Sequence, residues 1–322
     1  MCHDLLGTKE TGTLFMQISD NFDSGNIRVI DASDAGNIKL EIKHDNQSEF
    51  YQWFHFKLQT DVTPIQERKE HVLHIMNAGK SAYVEGWKDY QAVASYDRDH
   101  WFRVPTTYDG EKLTITLTPE YDSVYFAYFS PYSYERHQDL LHNAQMHLDC
   151  QLQVLGQTLD GRDISLLKVG EEGEGKRVIW LTARQHPGET MAEWFIEGFL
   201  DRLLDEDDGV ARSLLNKAVF YIVPNMNPDG VRSGHWRHNK GGMDLNRDWG
   251  PFTQPETQAV KSAIKPFLEG EQRMAFFLDF HSTWKNLLYT QADDEMTSPP
   301  MFARDWLKAV DDRLDDDVYE FS

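Results

Sequence analysis

The chain has 322 residues, 40% of them apolar and 12% aromatic, with a formal net charge of -21. Its length is too great for one average domain, and its apolar content is rich enough for one or two hydrophobic cores. So negative a charge repels nucleic acid and anionic membranes, so neither is an expected partner.

Cys2 and Cys150 are the two cysteines, so no disulfide framework is expected, which fits a reducing, cytoplasmic compartment. The first thirty residues hold no apolar core of a signal peptide, and no long uncharged apolar run follows. Met16 opens the first strand-like run, and residues 1–15 read as an extension ahead of the fold.

Residues 1–130 read as a β domain. Short apolar and aromatic runs stand between turn residues at Leu14–Ser19, Ile27–Ala32, Ile38–Ile42, Tyr51–Leu58, His71–Met76, Leu113–Thr118 and Ser123–Ser130. Leu113, Ile115 and Leu117 alternate with threonines, the signature of a half-buried strand. Several short strands without intervening helices predict an antiparallel sandwich. His55, His71 and His74 fall in these runs and read as surface or inter-strand residues.

Residues 131–322 change to alternating strands and helices, which predicts an α/β domain with a mixed sheet. Tyr134–His147 reads as a helix, Arg177–Ala183 as a strand, and Thr190–Leu204 as an amphipathic helix with Met191, Phe195, Phe199 and Leu203 on one face. Ala218–Pro224 reads as a strand. Thr253 and Glu256 suggest a capping box for a helix running to Leu268. Met274–Phe280 reads as a buried strand and Pro299–Leu314 as a helix.

Chemistry-bearing residues gather just beyond the predicted strand ends. His186 and Glu189 follow Arg177–Ala183, Asn225 and Asn227 follow Ala218–Pro224, and His281 follows Met274–Phe280. In α/β sheets, ligands bind beyond the carboxyl ends of strands. His-x-x-Glu alone is a common chance pattern, but Pro187 and Gly188 supply a tight turn and a second histidine stands at a second strand end. Two histidines and one glutamate are the ligand count of a catalytic zinc site with an open position.

Asp244-Leu245-Asn246-Arg247 adds a device for gripping a carboxylate, since arginine binds one in a bidentate fork and asparagine adds a neutral donor. Residues 231–247 hold Arg232, Arg237, Lys240 and Arg247 against Asp244, four cations less one anion, or +3. This island predicts either contact with acidic substrate ends or a counter-charge for the chain's own carboxylates.

These residues resemble the zinc metallocarboxypeptidase family, most closely its cytosolic branch, which includes tubulin deglutamylases. The resemblance is carried by His-Pro-Gly-Glu at 186–189, Asn-Pro-Asp-Gly at 227–230, Trp236-Arg237, Asp244–Trp249 and Phe280-His281-Ser282. It implies that His186, Glu189 and His281 bind Zn2+, that Asn246 and Arg247 hold the terminal carboxylate, and that Arg237 stabilises the oxyanion. Digestive relatives carry an arginine where Gly188 stands here. The β domain resembles the extra N-terminal domain of the cytosolic branch.

The family's general base is a glutamate on a late strand. By order of elements it is expected beyond Ser322, which reads as a C-terminally truncated catalytic domain; Glu320 is a minor alternative. The expected function, intact only in a form that carries the base, is zinc-dependent removal of C-terminal residues from peptides or protein tails, acidic ones among them; without the base the chain is expected to be nearly inactive. A deacylase of N-acyl amino acids and a non-catalytic binder of peptide ends are the competing readings.

Overall fold

The computed structural model describes residues 16–60, 68–270, 274–283, 287–290, 297–313 and 320–321. Residues 1–15, read above as an extension ahead of the fold, lie outside the described residues, as does the side chain of Glu320, the minor alternative for the general base.

The described residues of the first half build ten strands: β1 (Met16–Ser19), β2 (Arg28–Asp31), β3 (Ile38–Glu41), β4 (His55–Thr60), β5 (His71–Ile75), β6 (Val93–Ser95), β7 (Phe102–Arg103), β8 (Thr106–Tyr108), β9 (Leu113–Leu117) and β10 (Ser123–Ala127). They form two five-stranded sheets, ordered β1-β4-β10-β6-β7 and β2-β3-β5-β9-β8. The period-two alternation does the sorting. Leu73 and Ile75 of β5 and Leu113 and Ile115 of β9 point inward and are fully buried. They share one core with Phe56, Leu58, Val124 and Phe126 of the other sheet, as in a sandwich. Pairing is antiparallel except between β3 and β5, which run parallel. The run Tyr51–Leu58 lacked clean alternation because its first four residues are irregular, buried chain and the strand begins only at His55.

His55 is not at the surface but lies between strands, paired with Ala127 of β10 and with its ring 6.1 Å from that of Tyr125. It is buried, its Nδ1 lies 3.0 Å from Ser24 Oγ, and burial pushes its pKa down to about 3.

The second sheet system follows α1 (Tyr134–Ala144), whose N-terminus is capped by the Ser133 side chain accepting from the Arg136 amide. Then come β11 (Cys150–Gln157), β12 (Asp163–Val169), β13 (Arg177–Ala183), α2 (Thr190–Leu203), α3 (Gly209–Leu215), β14 (Ala218–Val223), α4 (Pro228–Ser233), α5 (Pro255–Glu269) and β15 (Met274–Phe280). The sheet order is β11-β12-β14-β13-β15, with β13 parallel to both β14 and β15 and β12 antiparallel to its neighbours. One face packs on α1 and α2 through Leu141, Ile196 and Leu200. The other packs on α5 through Val260 and Ile264, against Trp180 and Tyr221 stacked at 5.3 Å. The central strand β14 is buried along its whole length.

Three local expectations change. The buried face of α2 is Ala192, Glu193, Ile196, Leu200 and Leu203; Met191 and Phe195 are exposed, with Phe195 stacked on Phe280 at 4.1 Å. Of the predicted stripe, Leu203 is buried and Phe199 packs against the core, while Met191 and Phe195 turn off it. Thr253 and Glu256 form no capping box. The Asp248 carboxylate instead accepts from the Thr253 and Gln254 amides, leaving Glu256 buried beside Asn239. β15 is an edge among the described strands of its sheet, partly exposed rather than buried.

Residues Ser282–Ser322 form a second compact unit. In it β16 (Leu287–Leu288) pairs in parallel with β17 (Glu320–Phe321), and α6 spans Phe302–Asp311, a shorter helix than the predicted one. No helix among the described residues is long and apolar enough to cross a membrane.

Candidate metal centre and active site

β13 delivers the first two candidate ligands. It ends at Ala183, and Arg184 takes a left-handed backbone with φ 57° that breaks the strand. Such a conformation is strained for a side chain with a β-carbon. The Arg184 guanidinium holds it in place: Nε donates to the Pro187 carbonyl at 2.7 Å and Nη1 to Glu193 Oε2 at 2.8 Å. Glu193 is completed by His137 Nδ1 at 2.7 Å and by the Asn225 amide at 3.2 Å. The turn 185–189 thus rests on a buried polar network.

The Asn-Pro-Asp-Gly segment supports the same turn. Asn227 caps α4 by accepting from the Gly230 amide and donates to the Gln185 carbonyl at 3.0 Å. Asp229 is buried and accepts from Thr158 Oγ1 and Arg162 Nη1, tying α4 to the β11–β12 turn.

His186, Glu189 and His281 converge. His186 Nδ1 lies 2.8 Å from Glu189 Oε1, His281 Nδ1 lies 3.0 Å from Glu189 Oε2, and the two Nδ1 atoms are 3.2 Å apart. Among the described residues this is the one cluster of three or more His, Cys, Asp or Glu side chains able to hold a metal, its ligand atoms all within 4.8 Å of one another. Each imidazole also has an outer nitrogen fixed by a carboxylate: His186 Nε2 by Asp244 at 3.0 Å and His281 Nε2 by Asp279 at 2.8 Å. Carboxylates behind the imidazoles are the usual support of metal-binding histidines. Asp279 is itself held by Thr182 Oγ1 and Gln185 Nε2.

The electrostatics fit a cation between these groups. Burial opposes charge on both imidazoles, yet the carboxylates prevail: Asp244 and Glu189 raise His186, and Asp279 and Glu189 push His281 up to about 10. Against its own burial, Glu189 is drawn down to about 2 by the two histidines. Asp244, also opposed by burial, is held well below the usual carboxylate range by His186 and Arg237. Positive charge between the two imidazoles and the carboxylate is thus favoured, whether carried by protons or by a bound cation. A dication with two nitrogen ligands and one oxygen ligand supplies it.

The loop after α4 brings the remaining candidates alongside. Arg237 Nε donates to Asp244 Oδ2 at 2.8 Å, so one carboxylate links Arg237 to His186. Asn246 and Arg247 lie in a single 3-10 turn, Leu245–Arg247; the Asn246 amide donates to Asp244 Oδ1 at 2.9 Å, and Arg247 is exposed beside it. The other basic groups of the island turn to the chain itself. Lys240 pairs with Asp160 at 3.5 Å, and the Arg232 charge acts on the partly buried Asp23. His235 and His238 are buried against Asn46 and Ser48. The counter-charge reading of this island is the one these contacts support.

Gly188 has a local reason. A β-carbon there would lie 2.2 Å from the Trp236 indole, and the Gly188 amide donates to the Trp236 carbonyl at 2.9 Å. Trp236 occupies the space that a side chain at 188 would need.

The roles of Asp244, Asp279, Arg184 and Glu193 were not read from the sequence. Asp279 carried a usable signal, since strand residues two apart face the same way and it precedes His281 by two.

The zinc carboxypeptidase family profile matches residues 138–315, more than half of the chain. The chain belongs to this family. A second profile, the cytosolic carboxypeptidase N-terminal domain, matches residues 18–129. Cytosolic carboxypeptidase 6 of Mus musculus is 31% identical over 81% of this chain and 52% of its own length. A metallo-carboxypeptidase structure from Burkholderia cenocepacia superposes with a TM-score of 0.87 at 38% identity, covering 96% of this chain and 83% of that one. A metallo-carboxypeptidase from Pseudomonas aeruginosa, in complex with (2-guanidinoethylmercapto)succinic acid, is 46% identical with a TM-score of 0.77, covering 83% of this chain and 70% of that one. The chain spans 62% and 52% of the length of two curated relatives it matches, so it is matched to part of each.

Proposed function

We propose that the protein is a zinc-dependent metallocarboxypeptidase that hydrolyses the last peptide bond of peptides or protein tails. The carrying observation is the convergence of His186 Nδ1, His281 Nδ1 and a Glu189 carboxylate oxygen, with both outer imidazole nitrogens fixed by Asp244 and Asp279. In this reading His186, Glu189 and His281 hold the zinc. A catalytic zinc, when bound, polarises a carbonyl and lowers the pKa of water.

Two further parts come from the chain's own residues, an oxyanion partner and a carboxylate clamp. Arg237, with 27% of its side chain exposed, is held by Asp244 through Nε alone among the described residues, which leaves its terminal nitrogens to meet the developing oxyanion. Asn246 and Arg247 share one turn beside Asp244 and take the terminal carboxylate, which fixes the last peptide bond over the metal. The Pseudomonas aeruginosa relative's complex with a succinic acid derivative supports a carboxylate-binding site in this fold. The domain division that accompanies this reading is a β-sandwich to residue 130 and the peptidase domain after it.

Metal analysis after dialysis tests the assignment. The chain should retain about one equivalent of zinc, and His186→Ala or His281→Ala should lose most of it. Full retention in both variants would reject the ligand set. A panel of peptides and N-acyl amino acids then separates the peptidase from a deacylase, with peptides expected to turn over.

A further inference from the structure

One carboxylate of the β-sandwich collects three consecutive backbone amides of the loop that carries Arg237. Asp45 lies beyond β3 and is 2% exposed. Its Oδ1 accepts from the Trp236 amide at 2.6 Å, and its Oδ2 accepts from the Arg237 and His238 amides at 2.7 and 2.8 Å. Successive amides pointing at one anion form a nest, a geometry that fixes the backbone on both sides of its middle residue. That middle residue is Arg237.

The carboxylate is itself braced. The Asp45 amide donates to the Phe50 carbonyl at 2.8 Å, and its carbonyl accepts from the Ser48 amide at 3.2 Å. The neighbours extend the bracket. Asn46 Nδ2 donates to the Lys240 carbonyl, and Ser48 Oγ lies 3.0 Å from His238 Nδ1. Gly242, with φ 77°, sits so close that a β-carbon would lie 2.8 Å from the Gln47 carbonyl oxygen. On its other side the loop carries two things toward the metal cluster. The Arg237 guanidinium reaches Asp244, and the Trp236 carbonyl accepts from Gly188, inside the His186–Glu189 turn.

We propose that Asp45 is a positioning residue that aims Arg237 and makes the β-sandwich a working part of the site. Its consequence for turnover rests on the role given to Arg237 above; the aiming itself does not. Replacing Asp45 with asparagine leaves one acceptor oxygen for three amides and turns an NH2 group against an N–H. The 236–238 backbone then loses its fixed direction, and the Arg237 side chain loses its register with Asp244.

The test reads Arg237 directly. In 15N-labelled full chain, hydrogen exchange is followed at the Arg237 Nε–H, at the amides of 236–238, and at the amides of β13 and β14 as a folding control. Asp45→Asn should accelerate exchange by about tenfold or more at Arg237 Nε–H and 236–238, with β13 and β14 unchanged. Protection of Arg237 Nε–H within about twofold of the unsubstituted chain overturns the proposal. If Asp45→Asn also loses protection in β13 and β14, Asp45→Glu is read by the same criteria, since it keeps the charge and displaces the carboxylate by one methylene.

Turnover of a C-terminal peptide by the enzyme in a form that includes its general base supplies the second arm. Asp45→Asn should lower kcat by about tenfold, yet add nothing in an Arg237→Gln background, because both changes remove the same action. Multiplicative losses make Asp45 a stabilising residue only and reject the aiming role. An Arg237→Gln variant with unchanged kcat rejects the oxyanion assignment instead, and the exchange result then decides Asp45 by itself.

Discussion

Asp244 Oδ1 lies 3.0 Å from His186 Nε2, on the nitrogen opposite the one that faces Glu189. The contact decides which nitrogen of His186 is turned to the cluster. Without it the ring can rotate or change tautomer, and the ligand atom is no longer fixed. Asp244→Ala should therefore weaken zinc binding by about 10–100-fold, the usual cost of losing such a partner. Competition against a chelator of known affinity measures this. Unchanged affinity would mean that the turn alone orients His186.

Arg184 and Glu193 form an ion pair with side-chain exposures of 1% and 0%. Removing one partner strands a buried charge, so Arg184→Met should cost about 3–5 kcal/mol of stability. Arg184→Met with Glu193→Gln should cost less than the sum of the two single changes, by about 1 kcal/mol or more, because the double variant holds neither ion of the pair. Urea unfolding of the four proteins checks it. Additive losses would show that His137 and Asn225 satisfy Glu193 without Arg184.

Gly188→Ala puts a β-carbon where the Trp236 ring stands, 2.2 Å away. The indole must move, and the Trp236–Arg237 segment moves with it. Overpacking of this kind costs about 1–3 kcal/mol. A change in tryptophan fluorescence and a loss of peptide turnover should appear together. Unaltered fluorescence with normal turnover would show that the loop yields without consequence.

What the sequence carried and what it concealed divide along physical lines. Alternation was legible where one face of a strand is wet, as at Leu113 and Ile115, and the three metal-cluster residues were legible because all sit beyond the ends of parallel strands. The hairpin partner β11 was not legible, because Gln151, Gln153 and Gln157 interrupt its apolar residues and much of it is exposed. The α2 register misled for the opposite reason. Glu193 belongs to the buried face, and periodicity scores a glutamate as solvent-facing; Arg184, His137 and Asn225, all outside the helix, make its burial tolerable. Asp45 meets Arg237 across a separation of 192 residues, which no local pattern encodes.

Glu256 provides a test through pH. It is fully buried in α5, and burial raises its pKa to about 7; Asp229 and Asp248 add to the rise, while its own amide and Asn239 only partly offset it. The unfolded chain should bind this proton with an ordinary pKa near 4.5. Between about 4.5 and about 7 the folded state therefore holds more protons than the unfolded state, and this group's contribution to stability falls as pH rises. The favourable contribution is complete below the lower value and gone above the upper one. At about 1.4 kcal/mol per pH unit, the whole interval amounts to roughly 3 kcal/mol. Glu256→Gln removes the titration. Its stability relative to the unsubstituted chain should be nearly level at pH 5 and better by roughly 2–3 kcal/mol at pH 8. Urea midpoints at the two pH values measure the difference. A relative stability that stays constant, or that moves toward the unsubstituted chain as pH rises, would show that Asn239 and the helix amide keep the Glu256 carboxylate charged in the fold.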